Sequence, residues 1–239
     1  MRVLSILAAA LTFALGGGST RAGSPPQHLR VLFIGNSLTA TNDLPGTVAA
    51  FARAVGRVRV DVGSYAPGGY ALQDHWTDGT ARDLVEQGGW DVVVLQQGPS
   101  SLPESRVNLV EWTTRWAAEA RAHDARPALL TVWPERARFG VFPAVIANHR
   151  AAARAARVAS FPAGAAWWDA LRRPAPPPLY GPDAFHPTRL GTYLTAAVVY
   201  AGLTGKVPVK LPRVVGTLRI DARTAARLRA AVARTYAAG

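Results

Sequence analysis

The chain has 239 residues, a net charge of +12, 49% hydrophobic residues and no cysteine. That length supports one sizeable core and argues against two full domains, and a charged fraction of 18% excludes wholesale disorder. Without cysteine there are no disulfides, no thiolate chemistry and no Cys-ligated metal. The charge is almost all arginine, since Lys206 and Lys210 are the only lysines. The arginines are scattered through Ala-Arg-rich stretches such as Ala151 to Arg157 and Ala222 to Arg234. They read as solvated helix faces with no interleaved aromatics, so nucleic acid is not an expected partner.

Met1-Arg2 is a short basic start, Val3 to Leu15 is an apolar run, Gly16 to Thr20 breaks it, and Ala22 is a small residue for cleavage. This pattern predicts a secretory signal peptide over residues 1–22 and a single mature domain over 23–239. The run is too short for a comfortable membrane span, and none is expected. Cleavage removes Arg2 and Arg21, leaving 12 − 2 = +10, and places the protein in the periplasm or outside the cell.

His28 to Ile34 reads as a strand whose run Val31-Leu32-Phe33-Ile34 suits burial on both faces. A helix follows Pro45, with Val48, Phe51, Ala52 and Val55 on one side. Val58 to Val62 is a second strand, and Ala66-Pro67-Gly68-Gly69 is a loop. Trp90 to Leu95 is the strongest strand and stops at Gln96-Gln97-Gly98-Pro99. Pro103 starts a helix containing Val107, Val110, Trp112 and Trp116. Pro127 to Trp133 is a fourth strand ended by Pro134, and Pro143 to Val158 is helical. Ala159 to Ala166 holds a short fifth strand, Pro174 to Pro178 is a loop, and Thr188 to Thr204 and Ala222 to Ala238 are helices. Alternating strands and helices imply right-handed β-α-β units and a parallel sheet covered on both faces. Ligands then bind beyond the carboxyl ends of the strands.

Ser37 follows the first strand directly. On such a turn its hydroxyl faces the crevice, and helix-start N–H groups favour negative charge there; the alternative is a plain turn or N-cap serine. A hydroxyl needs a base, and His186 lies in a loop with Asp183 three residues before it, close enough to orient the imidazole; the alternative is a loop ion pair. An oxyanion needs donors. Candidates are the N–H of Ser37, the N–H of Gly69 and a side-chain amide from Gln96 or Gln97. Asp74, His75 and Asp78 resemble a metal fragment, but no second histidine is near and no metal is expected. Trp76, Trp133, Trp167 and Trp168 suit either a sugar-binding cleft or the core.

Four segments together carry a resemblance. VLFIGNSLTATNDLP, PGGYALQDHW, WDVVVLQQGPS and DAFHPTRLGTYLTAA resemble, in order, the blocks of the SGNH (GDSL-type) serine hydrolases in a GNS variant, over roughly Leu29 to Thr204. The resemblance implies a flavodoxin-like three-layer α/β/α sandwich with a parallel sheet of about five strands. It also implies ester hydrolysis through an acyl-enzyme without a cofactor, with nucleophile Ser37, glycine donor Gly69 and an Asp183/His186 pair. The family's usual third-block asparagine is absent; Gln96 or Gln97 stands in its place, with Ser100 a weaker candidate. Short acyl esters, including acetylated saccharides, are the expected substrates. A non-catalytic glycan-binding scaffold and an acyltransferase are the alternatives. Thr39 stands where an α/β-hydrolase nucleophile motif has its second glycine, which favours the SGNH reading.

Overall fold

The computed structural model describes residues 28–238. The signal-peptide segment lies outside the described residues. Five parallel strands form one sheet: β1 (His28–Ile34), β2 (Arg59–Tyr65), β3 (Val92–Leu95), β4 (Arg126–Leu130) and β5 (Ala159–Phe161), in the order β2-β1-β3-β4-β5. This is the flavodoxin-like doubly wound order, and its direction reverses at β1.

Both faces of the sheet are covered, and the side chains of β1 show it by alternation. Leu29, Val31 and Phe33 join one buried cluster with helices α2 (Leu44–Val55), α7 (Ala163–Leu171), α8 (Arg189–Thr204) and α9 (Ala222–Ala237). Leu32 and Ile34 join a second cluster with α3 (Leu72–Asp78), α4 (Thr80–Glu86), α5 (Pro103–Ala122) and the end of α6 (Phe142–Ala155). A period of two on a strand produces this split. Val92 and Val94 of β3 follow the first cluster, Val93 and Leu95 the second. The expected three-layer sandwich of about five strands is therefore the observed one.

The chain starts its helices where its caps dictate. Asp43 accepts from the N–H of Gly46 at 3.0 Å and Asp221 from that of Thr224 at 2.9 Å, each satisfying a donor that has no partner inside its helix. Helix α8 is buried along most of its length. It starts at Thr188, whose hydroxyl accepts from Gly191 N–H at 3.2 Å. Trp133 and Trp167 stack at 3.6 Å and 5° and are fully buried; Trp76 packs edge-on to Trp116, and Trp168 lies against Phe142. These four tryptophans serve packing.

The expected extent of the fourth strand needs correction. The fourth strand ends at Leu130, short of Trp133, because its neighbour β5 ends at Phe161 and offers no ladder beyond the bond from Thr131 N–H to Phe161 O at 2.9 Å. The short fifth strand expected within Ala159 to Ala166 is found at Ala159–Phe161; residues 163–171 are α7, whose Gly164 N–H donates to the carbonyl and hydroxyl of Thr131 at 3.2 and 3.1 Å. A short α1 (Ser37–Ala40), the pair α3 and α4, a 3₁₀ turn (Arg136–Val141) and a small hairpin of β6 (Val214–Val215) and β7 (Leu218–Arg219) complete the described chain. Among the described residues no helix is long and apolar enough to cross a membrane.

Leu129 is fully buried on the α5 side of the sheet, whereas Val107 is 66% exposed on α5. Leu129→Ala should lower unfolding free energy by about 2–5 kcal/mol, and Val107→Ala by less than about 0.5 kcal/mol, both read from urea midpoints at constant slope.

Candidate active site

The order reversal at β1 opens a crevice between the carboxyl ends of β1 and β3. Ser37 sits at the first of these ends, as residue one of α1, and Gln96 and Gln97 at the second. The turn between β1 and α1 is held by side chains. Asn36 caps α1, its Oδ1 accepting from Leu38 N–H at 3.1 Å while its Nδ2 donates to Tyr70 O at 2.9 Å. Gln96 Oε1 accepts from Asn36 N–H at 2.9 Å and from the Thr39 hydroxyl at 2.8 Å. Gly35 is compulsory here: a Cβ would fall 2.5 Å from Thr39 Oγ1 and 2.6 Å from Gln96 Oε1. Both neighbours are buried and hydrogen-bonded, so neither can yield.

His186 arrives from the loop before α8. That loop is closed by Gly181 N–H donating to His186 O at 2.7 Å and by a bridge between Tyr180 and Pro187. Inside it, Asp183 Oδ1 accepts from the N–H groups of Phe185 at 3.1 Å and His186 at 2.9 Å, an Asx-type turn that leaves the other carboxylate oxygen free to meet the ring. Two other segments fix the loop in place: residues 133–136 and the turn after α1. Trp133 Nε1 donates to Phe185 O at 3.0 Å, Arg136 N–H to Ala184 O at 2.9 Å, and Tyr180 Oη to Pro134 O at 2.8 Å. Asn42, from the turn after α1, donates to Pro187 O at 2.8 Å.

The result is a continuous chain of three side chains. Asp183 Oδ2 lies 2.5 Å from His186 Nδ1, and His186 Nε2 lies 2.8 Å from Ser37 Oγ. The His186 ring and two backbone N–H groups hold the Asp183 carboxyl down at about 2. An ionised carboxylate only accepts, so the ring proton sits on Nδ1. Nε2 then accepts, and the Ser37 hydroxyl donates to it. Ser37 is half-buried, and the His186 and Asp183 side chains are 33% and 51% exposed, so the chain opens to solvent.

The expected donors divide. Ser37 N–H and Gly69 N–H have no acceptor among the described residues. Gly69 has φ +79°, is exposed, and precedes the Tyr70 carbonyl that Asn36 holds. The glutamines differ from expectation. Gln97 has both ends of its amide engaged: Oε1 accepts from Leu72 N–H at 3.1 Å, and Nε2 donates to Asn108 Oδ1 at 3.2 Å and Ser100 Oγ at 3.4 Å. Gln96 is 1% exposed and its Nε2 is buried with no partner among the described residues. Neither amide offers a solvent-reached N–H to the crevice, because both side chains fold back to fasten the turns around it. Ser100 is likewise buried and occupied. Concavities of about 710 and 620 Å³ lie beside Val58 at the amino ends of the strands, and none of the three linked residues lines them. Sequence reasoning missed Asn42, Tyr180 and Trp133 as supports of the His186 loop; their partners are backbone carbonyls, which leave no spacing signal.

No family model and no curated protein matches the chain. Solved structures do. A DUF4886 family protein from Bacteroides uniformis superposes with a TM-score of 0.72 at 16% identity, covering 88% of this chain and 95% of that one. A provisionally assigned SGNH hydrolase from Slackia heliotrinireducens gives 0.61 at 24%, over 75% and 100%. An acetyl xylan esterase from Geobacillus stearothermophilus gives 0.61 at 15%, over 75% and 96%. At these identities the likeness establishes the fold, and it is the three-layer fold of the SGNH and GDSL-type hydrolases. The resemblance read from the four sequence segments holds at that level.

Two outcomes follow from the site's geometry. By NMR, the Asp183 carboxyl should titrate near 2, below its ordinary 3.8, and His186→Ala should return it toward that ordinary value. The sign follows from linkage: a depressed folded value favours the fold above the unfolded value and is lost as pH falls toward 2. Gly35→Ala should cost about 1–3 kcal/mol by overpacking, measured by chemical denaturation.

Proposed function

We propose that the protein is a serine esterase that hydrolyses carboxylic esters through an acyl-enzyme on Ser37. The observation that carries this reading is the unbroken Ser37–His186–Asp183 chain at hydrogen-bond distances, assembled at the sheet's topological switch point. His186 Nε2 takes the Ser37 proton as Oγ attacks the acyl carbonyl, and later returns it to the leaving alcohol. Asp183 keeps the ring in the Nδ1–H form and stabilises the imidazolium. The acyl oxygen, negative in the tetrahedral intermediate, is received by the N–H groups of Ser37 and Gly69. Water activated by the same histidine then releases the acid.

Short acyl groups, acetyl first among them, on a bulky alcohol such as a saccharide are the proposed substrates. The exposure of the His186 and Asp183 side chains supports a large alcohol approaching from solvent. The acetyl xylan esterase among the proteins of like fold supports the acyl choice. Residues 1–22 are proposed to direct export.

The test is hydrolysis of p-nitrophenyl acetate, butyrate and decanoate beside Ser37→Ala and His186→Ala. Wild type should turn over acetate fastest, and each variant should lose roughly 10³-fold or more. A fluorophosphonate should label wild type and leave Ser37→Ala unlabelled. Because Asp183 stays ionised down to about 2, its own protonation should not contribute to any acid-side loss of kcat/KM well above that pH. A wild-type protein no faster than its variants and inert to the fluorophosphonate would overturn the esterase reading, and preference for decanoate would overturn the short-acyl part.

A further inference from the structure

His75 is fully buried, with Nε2 2.7 Å from the carbonyl oxygen of Gly35. A carbonyl only accepts, so Nε2 carries the proton. The ring lies edge-on between Tyr65 at 5.6 Å and Tyr70 at 5.2 Å, measured between ring centroids. Its other nitrogen, Nδ1, is buried and has no partner among the described residues. A buried orphan nitrogen is costly, a cost that an apolar ring of the same shape would avoid. The acidic neighbours in sequence are engaged elsewhere. Asp74 accepts from Ala71 N–H at 2.8 Å at the start of α3, and Asp78 from the Tyr65 hydroxyl at 2.6 Å.

The carbonyl that His75 holds belongs to the same peptide unit as the N–H of Asn36, which donates to Gln96 Oε1 at 2.9 Å. That unit is planar and rigid. It is pinned at its oxygen by a buried side chain from α3 and at its nitrogen by a buried side chain from the exit of β3. The next peptide unit carries the Ser37 N–H. Two buried jaws therefore set the direction in which the chain enters α1, and with it the Ser37 hydroxyl and N–H.

We propose that His75 and Gln96 form a peptide clamp on Gly35–Asn36, and that His75 is a positioning residue for the Ser37 nucleophile. The proposal rests on the esterase reading for its catalytic consequence. Its physical content, a neutral Nε2–H ring bonded to Gly35, is independent of that reading. Burial lowers the pKa of His75 from its ordinary value, which favours the neutral ring.

The experiment compares wild type with His75→Phe, which keeps a flat ring between the tyrosines but donates nothing, and His75→Gln, which restores an N–H. With p-nitrophenyl acetate, His75→Phe should lose roughly 10–100-fold in kcat with KM within about twofold. His75→Gln should recover most of the loss. The acid limb of the pH profile should keep its midpoint in all three, since His75 does not exchange a proton with substrate. In the wild type, ¹⁵N-resolved NMR should find a slowly exchanging ring proton on Nε2 of His75, and His75→Phe should shift the Gly35 carbonyl ¹³C resonance. Unchanged kcat in His75→Phe, a loss confined to KM, or no recovery by His75→Gln overturns the positioning role. If His75→Phe does not fold, the ring proton decides: a fast-exchanging Nε2–H, or one absent, overturns the clamp. Wild-type protein without turnover but with the slowly exchanging proton refutes the esterase reading and leaves the clamp standing.

Discussion

The central strands β1 and β3 are buried on both faces, and no side chain on them meets water between Val31 and Ile34 or between Val92 and Leu95. Each strand pairs with neighbours on both edges, so its backbone polar groups are satisfied and the chain cannot bend until the ladder ends. Polar residues appear at that end, where β1 and β3 part company. Asn36, Thr39, Gln96 and Gln97 are buried within a few residues of the exits, and His75 of α3 is buried against the β1 exit. Buried polar groups require partners, and these find them largely in one another and in the turn backbone. The crevice and its walls arise from the same requirement: the sheet must be dry, and the residues that leave it must be hydrogen-bonded.

The two halves of the site are built differently. The serine half is held by groups distant in sequence: the side chains of Gln96 and His75 and the backbone carbonyl of Tyr70. The histidine half is largely self-made. Asp183 binds two N–H groups of its own loop and the ring as well, and Ala184 takes φ +60° to close the turn. Hydrogen bonds between neutral groups are worth about 0.5–1.5 kcal/mol each and those to an ionised carboxylate about 1.5–3 kcal/mol, so no one of them fixes the geometry. Loop and turn meet correctly because Trp133, Tyr180, Arg136 and Asn42 tie the preformed loop to the β4 exit and to the turn after α1. A nucleophile and a base 149 residues apart thus come within a hydrogen bond of each other through supports that touch neither of them.

Much of this was legible in the residue order. The apolar run Val31 to Ile34 read as a doubly buried strand, WDVVVL as the strongest strand, of which Val92–Leu95 is the observed one, and the long helices followed from their starting prolines and apolar faces. The short elements were not legible. Helix α1 has four residues, too few for any period to show, and Gly79 both ends α3 and begins α4. Helix α7 was hidden by its apolar, aromatic composition, since Ala163 to Trp168 reads equally well as a buried strand. The overrun of β4 to Trp133 has the same origin. An apolar run records burial, whereas a strand's length is set by its neighbour, and β5 is only three residues long.

Sequence alone determined the alternation of strands and helices, the place of Ser37 after the first strand, and the local pairing of Asp183 with His186, because each depends on interactions within a few residues or on the burial period of one element. Tertiary structure decided the reach of His186 to Ser37 and the tasks of the two glutamines. It also decided that His75 turns inward to Gly35 rather than outward with Asp74 and Asp78. An amide or an imidazole can donate or accept in many directions. Which direction is taken depends on partners brought near only when the sheet closes, so adjacent residues as alike as Gln96 and Gln97 fasten different turns.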